Sequence, residues 1–251
     1  MSAVRRIPLA TDETSPSSSR TRILNAVTVL TVILVAIGAY LALVHAGTDI
    51  EQGEVQRIFY FHLGAFMGSF FALGATVVGG IAYLRTRNPK WDALAVAGVE
   101  VGLTLALINL VTGSVWARPI WNTWWTWDPR LTSSAIMALT YAAYLMLRNG
   151  IENPDTRRRF ASVYGILAYS TVIITLVIIR IRPDTIHPAV IGSSAESAEG
   201  GFALSGNMLL AMLYNMAVWG TFVPLTLMWW RIRLENLSER VNAARVKYLE
   251  N

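Results

Sequence analysis

Residues 23–44 read ILNAVTVLTVILVAIGAYLALV, twenty-two positions without a formal charge. A bilayer core of about 30 Å is crossed by roughly 20 helical residues, so this run is long enough to span it. It exceeds the apolar core of a signal peptide, about 7–15 residues, and no clear small-residue cleavage pattern follows it; it is expected to stay in the chain. Five further runs of similar character lie near 61–84, 94–115, 131–148, 162–180 and 206–230. The expected fold is therefore all-α, a polytopic membrane protein with six transmembrane helices over residues 23–231. Before it lies a polar stretch containing TDETSPSSSR (11–20), which cannot bury enough apolar surface to offset its ordering entropy. Residues 1–22 are read as a disordered cytoplasmic tail and 232–251 as a second cytoplasmic tail.

The composition agrees with that frame and narrows the function. Of 251 residues, 54% are apolar and 15% charged. There is no cysteine, which excludes disulfides, thiolate metal sites and the C-x-x-C-H attachment motif of c-type haem. No G-x-x-x-x-G-K-[ST] occurs, so the chain does not bind nucleotide through a P-loop; energy for transport would come from a partner. The net charge of +5 has a topological reading. Short loops rich in Lys and Arg stay in the cytoplasm. Of the 21 basic residues, sixteen fall on one side of the six spans and five, Arg57, Arg118, Arg130, Arg180 and Arg182, on the other. Both termini are thus expected in the cytoplasm, with outer loops at about 46–60, 116–130 and 181–205. Nucleic acid is not an expected partner.

Within the spans, Gly64, Gly68 and Ala72, and Gly98, Gly102, Ala106 and Gly113, form small-residue stripes suited to close helix packing. Asn109 is expected to hydrogen-bond between helices. Glu100 is the single acid placed inside a predicted span, and two readings stay open: a functional carboxylate, or a contact to a neighbouring helix or subunit. Apart from it and Pro224, the spans lack the broken or paired polar features of a transport path. The chemistry is expected at the outer surface.

There the chain concentrates five of its nine tryptophans, Trp116 and the four in WNTWWTWDPR (121–130). Trp121, Trp124, Trp125 and Asp128 follow helical spacing, which predicts an amphipathic helix lying in the outer leaflet with its indoles on one face. One or two aromatics suffice to anchor a helix end; five within 116–127 point to a platform for a flat, polarisable ligand such as a porphyrin. All three histidines, His45, His62 and His187, fall on the same side. His45 ends the first span, where an interfacial residue is unremarkable. His62 and His187 come from different loops, and two imidazoles flanking an indole platform could grip iron in a planar macrocycle from both faces. Haem propionates need cationic donors, and Arg130 is the best placed by sequence; it could equally pair with Asp128 across Pro129.

The stretch WNTWWTWDPRLTS resembles the tryptophan-rich WWD signature of haem-handling proteins of cytochrome c maturation, and EQGEVQRIFYFHLGAF (51–66) resembles the segment bearing their first outer histidine. The resemblance is to the CcmC type and covers nearly the whole chain except the serine-rich tail. It implies a haem-presenting subunit of an ABC-type complex in the bacterial inner membrane rather than an enzyme, with CcmA-type ATPase and CcmB-type permease partners and a CcmD-type helper. Non-covalent haem b would be held on the periplasmic side and passed to a CcmE-type haem chaperone. Carried onto this sequence, His62 and His187 are the axial ligands, and Trp116, Trp121, Trp124, Trp125, Trp127 and Asp128 form the platform and the surface met by the chaperone. One departure is Asn122, where the signature leads us to expect glycine. Related cytochrome c synthases of the CcmF and CcsA types carry additional histidines within their spans, which this chain lacks. A permease for a small solute and a b-type electron-transfer protein are the competing readings.

Overall fold

The computed structural model describes residues 18–182, 184–189 and 204–249, and among these every regular element is helical apart from an isolated bridge between Asp49 and Gly53. Residues 1–17 of the expected N-terminal tail and most of the expected loop 181–205 lie outside the described residues. Helix α1 runs Ser18–Tyr40 and continues through a π turn, Leu41–His45. After a 3-10 turn at Glu54–Arg57 come α2 (Ile58–Thr86), α3 (Pro89–Trp121), α4 (Pro129–Asn149) and α5 (Pro154–Ile181). The last rod is α6 (Gly206–Ala217), a second π turn (Val218–Phe222) and α7 (Val223–Leu249). Pro224 has no N–H to donate back, and the widened turn falls immediately before it.

Five of these rods, covering 19–45, 54–86, 89–121, 154–181 and 206–246, are long and apolar enough to cross a membrane. Helix α4 is shorter and more polar, and it packs against α3 and α5. The chain is a polytopic membrane protein. The starts of α3, α4, α5 and α6 follow one device: Asn88, Asp128, Asn153 and Ser205 each accept a hydrogen bond from a first-turn N–H, and in the first three a proline follows directly. The stretch expected as a C-terminal tail continues α7 as helix through Leu249.

The small-residue stripes divide their work between two seams. A Cβ on Gly98 would sit 2.5 Å from the Ala72 carbonyl oxygen and one on Gly102 2.6 Å from Leu73, so α2 and α3 touch at backbone distance. Gly68 instead faces the Trp219 carbonyl in the last rod. Polar pairs fix the register of the rest: Thr31 bonds Thr226 at 2.8 Å, and Asn215 donates to the Gly38 carbonyl at 3.0 Å, tying α1 to the last rod. Both ionic joints lie at the end of the bundle opposite His62. Asp92 of α3 takes a two-point bond from Arg148 of α4 at 2.8 and 2.6 Å. Glu100 of α3 binds Arg231 of α7 through both carboxylate oxygens, and Arg231 also reaches Glu235 at 2.9 Å. The structure thereby places Glu100 in an interhelical ion pair.

Candidate functional site

The histidines at 62 and 187 meet at one end of the bundle, their ring centroids 6.4 Å apart and their planes inclined by 33°. A metal–imidazole bond is about 2 Å, so two rings on opposite sides of one iron stand with centroids roughly 6 Å apart. The spacing fits a shared iron. His45 is exposed in the π turn that ends α1 and lines neither of the cavities described below.

Each imidazole is held by its Nδ1. His62, the fifth residue of α2, places Nδ1 3.0 Å from the Asn109 carbonyl of α3, while the Asn109 amide donates back to the His62 carbonyl at 2.8 Å. His187 places Nδ1 2.9 Å from the Pro188 carbonyl. A carbonyl only accepts, so both Nδ1 atoms carry the proton and both Nε2 atoms keep a lone pair that can accept or ligate. The Asn109 amide nitrogen lies 3.4 Å from the His62 Nε2, within reach to donate to it until a metal takes its place. Gly113 makes room for the ring: a Cβ there would stand 2.9 Å from the His62 Cε1. Burial first, and then the Arg130 charge, push the His187 imidazole down to about 4, so it is neutral at physiological pH.

The loop carrying His187 is fastened through Thr185. The His187 N–H donates to the Thr185 hydroxyl oxygen at 3.2 Å, and that hydroxyl donates to Asp128 Oδ2 at 3.2 Å. The other Asp128 oxygen accepts from Leu131 N at 2.9 Å and caps α4. The acid of the tryptophan signature is therefore a joint between α4 and the His187 loop.

The tryptophans fall into two groups. Trp116 is buried, meets His62 edge-on at 5.8 Å and donates Nε1 to Gln52 at 3.0 Å; Trp121 meets His187 at 6.1 Å. Trp125 lines the same cavity as these two. Trp124 and Trp127 are 59% and 77% exposed, with Trp127 edge-on to Trp125 at 5.6 Å. The expected amphipathic helix across 121–128 does not form. Helix α3 ends at Trp121, Asn122 takes the left-handed conformation at φ 53, and Asp128 is extended ahead of Pro129. That φ also explains the expectation of glycine at 122, since asparagine is the next best residue there.

Two clefts meet at the histidine pair. Both are walled by His62, Trp116, Arg130, His187 and Pro188. Together they extend the gap between the rings into a slot whose lining is mostly apolar. Arg130 donates to the Thr175 carbonyl and lies 4.9 Å over the Phe66 ring; among the described residues it forms no ion pair, with Asp128 or any other acid. Arg180 lines the second cavity. The other basic residues of this end bond locally, Arg57 to Glu54 at 2.8 Å, Arg118 to the Asn122 carbonyl at 2.7 Å and Arg182 to Asp184 at 2.6 Å. Gln52, Asn109, Gly113 and Phe66, not singled out as site members from sequence, complete the slot, and Thr185, likewise not singled out, supports it through Asp128. Phe66, four positions beyond His62 on α2, carries a helical-repeat signal; Gln52 and Thr185 lie outside the helices and carry none.

The family model for heme exporter protein C matches residues 8–247. The heme exporter protein C of Bradyrhizobium diazoefficiens is 32% identical over 228 residues, which cover 90% of this chain and 83% of that protein. That of Haemophilus influenzae is 28% identical, covering 88% and 87%. A putative cytochrome c biosynthesis ccmC-like mitochondrial protein of Arabidopsis thaliana is 38% identical over 112 residues, 45% of this chain and 44% of its own.

Proposed function

The chain belongs to the heme exporter protein C family, and from that premise we propose that it binds haem b between His62 and His187 and delivers it for cytochrome c maturation. The observation that carries the reading is the 6.4 Å separation of two Nδ1-anchored imidazoles at the junction of two cavities. Haem is cargo here, and the chain acts as a delivery subunit rather than an enzyme. Trp116, Trp121 and Trp125 cover the macrocycle, and Arg130 and Arg180 receive its propionates. Asp128 positions His187. The exposed Trp124 and Trp127 form the surface met by a CcmE-type haem chaperone. The site faces the periplasm, with both termini in the cytoplasm of a bacterial inner membrane. A CcmA-type ATPase, a CcmB-type permease and a CcmD-type helper complete the assembly, and ATP is hydrolysed by the ATPase alone.

Transfer to the purified soluble domain of the chaperone tests this division. The double variant Trp124→Ala, Trp127→Ala is expected to keep its haem spectrum and to lose chaperone capture by about tenfold or more, as exposed aromatic anchors of an interface do. Capture at the wild-type level, or loss of the haem bands in this variant, would count against it.

Ligation requires a neutral imidazole. With His187 held down near 4, protonation competes only as the pH falls toward that value. The haem spectrum is therefore expected to be unchanged between about pH 7 and 5 and to collapse below, not near the free-imidazole value of about 6.5. Between those two values the unfolded chain binds a proton that the folded chain does not, so this histidine makes folding more favourable as the pH rises. A visible-absorbance titration with its midpoint near 6.5 would contradict the buried, neutral assignment.

A further inference from the structure

A third cavity, open to solvent, lies at the end of the bundle opposite the histidine pair, where α3, α4, α5 and α7 converge. Its wall carries Arg148, Arg157, Arg231, Glu100, Glu235 and Asn149. The ionic partners divide unevenly. Arg148 is matched by Asp92, which also draws Arg158 at 3.6 Å. Arg231 is shared by two carboxylates, Glu100 and Glu235, leaving that group with one negative charge in excess. Arg157 forms no ion pair among the described residues, and its Nε is shielded from solvent with no hydrogen-bond partner. An unmatched cation and an unmatched anion thus share one polar cavity.

From Arg157, Phe160, Val163 and Leu167 follow along α5, all exposed, on the i, i+3, i+7 row of a helix that crosses the membrane. A half-buried guanidinium with a shielded Nε, lining a cavity and heading an exposed apolar row, has the chemistry of a phospholipid site. We propose that this cavity is a lipid-headgroup site for a zwitterionic aminophospholipid, its phosphate on Arg157 and its primary ammonium on the Glu100–Glu235 group. A choline headgroup has no N–H to donate to the carboxylates, and a glycerol headgroup has no cation. The site thus selects the primary amine. It is independent of the haem reading, which it neither uses nor supports.

The test is lipid retention by native mass spectrometry. The full-length protein is equilibrated in vesicles of equal parts phosphatidylethanolamine, phosphatidylglycerol and phosphatidylcholine, then extracted in mild detergent. Wild type is expected to retain one phosphatidylethanolamine, preferred about tenfold, the worth of one charged hydrogen bond. Arg157→Gln is expected to lose it and Arg157→Lys to keep it. Glu235→Gln is expected to turn the preference toward phosphatidylglycerol, because the Arg231 group then loses its excess negative charge while Arg157 stays unmatched. Arg159→Gln, an exposed neighbour outside the cavity, should change nothing. Equal lipid profiles in wild type and Arg157→Gln would overturn the site. So would equal loss in Arg159→Gln, which would mean diffuse surface charge, or an unchanged preference in Glu235→Gln. Displacement of the lipid by millimolar soluble phosphoethanolamine would overturn the lipid as its source. Helical circular dichroism and thermal melting confirm that each variant scored is folded.

Discussion

His187→Ala is expected to remove the six-coordinate haem spectrum of the purified protein and to reduce haem retained through purification by about a hundredfold. That is at or beyond the upper end of what loss of a supporting ligand contact costs. His62→Ala is expected to do the same. Removing the ring at 187 leaves a hole in a slot already bordered by two cavities, so added imidazole should restore the absorption bands to His187→Ala. It should do so less well in His62→Ala, where Asn109 and Gly113 close around the ring. A milder effect is expected from Thr185→Val, which keeps the shape but cuts the bond to Asp128. The two imidazoles would still ligate, with affinity lower by roughly tenfold and the spectrum unchanged, and Thr185→Ser should recover it. Unchanged spectra in both histidine variants would remove the ligand assignment altogether.

Gly98→Ala is expected to be among the most damaging single-methyl changes in the bundle. The added carbon would meet the Ala72 carbonyl oxygen at 2.5 Å and the Thr76 hydroxyl at 2.7 Å, and backbone cannot swing aside as a side-chain tip can. Forcing α2 from α3 there should cost about 1–3 kcal/mol, the usual range for overpacking. It should also disturb haem binding, because His62 and its anchor Asn109 sit on these same two helices. Gly150→Ala is the control, since the nearest atoms to its new carbon are 3.6 Å away. Thermal unfolding in detergent reads the difference. Equal melting of the two variants would show that this seam is looser than its geometry.

These effects also show which parts of the molecule are legible along the chain. The spans are legible because a membrane imposes one rule on all of them, an apolar run of about 20 residues. Their ends are less so. Helix α3 carries on six residues past the apolar run that announces it, through Pro119 to Trp121, because lipid polarity stops there while hydrogen bonding does not. The tryptophan segment misleads for a related reason. Its i, i+3, i+4 spacing is helical, yet Asn122 ends one helix and Asp128 begins the next, and the two caps leave the residues between them non-helical. The Asp128–Pro129 pair is a visible capping signal that outranks the periodicity. Much of the candidate site is marked by residue type, since two histidines and a cluster of indoles are scarce in such a chain. Its supports are not. That Gly113 vacates the volume of the His62 ring, or that Thr185 links Asp128 to His187, depends on contacts between residues 50 or more positions apart. The choice Arg130 makes between a carboxylate and an open slot is of the same kind, settled by where α4 and α5 come together.

Low-temperature electron paramagnetic resonance of the purified wild-type protein loaded with ferric haem addresses the ligand pair itself. Two imidazoles on one iron predict a low-spin signal, with conversion to high spin in His62→Ala and in His187→Ala. A high-spin signal in the wild type, or a low-spin signal surviving in both variants, would contradict the shared iron on which the account rests.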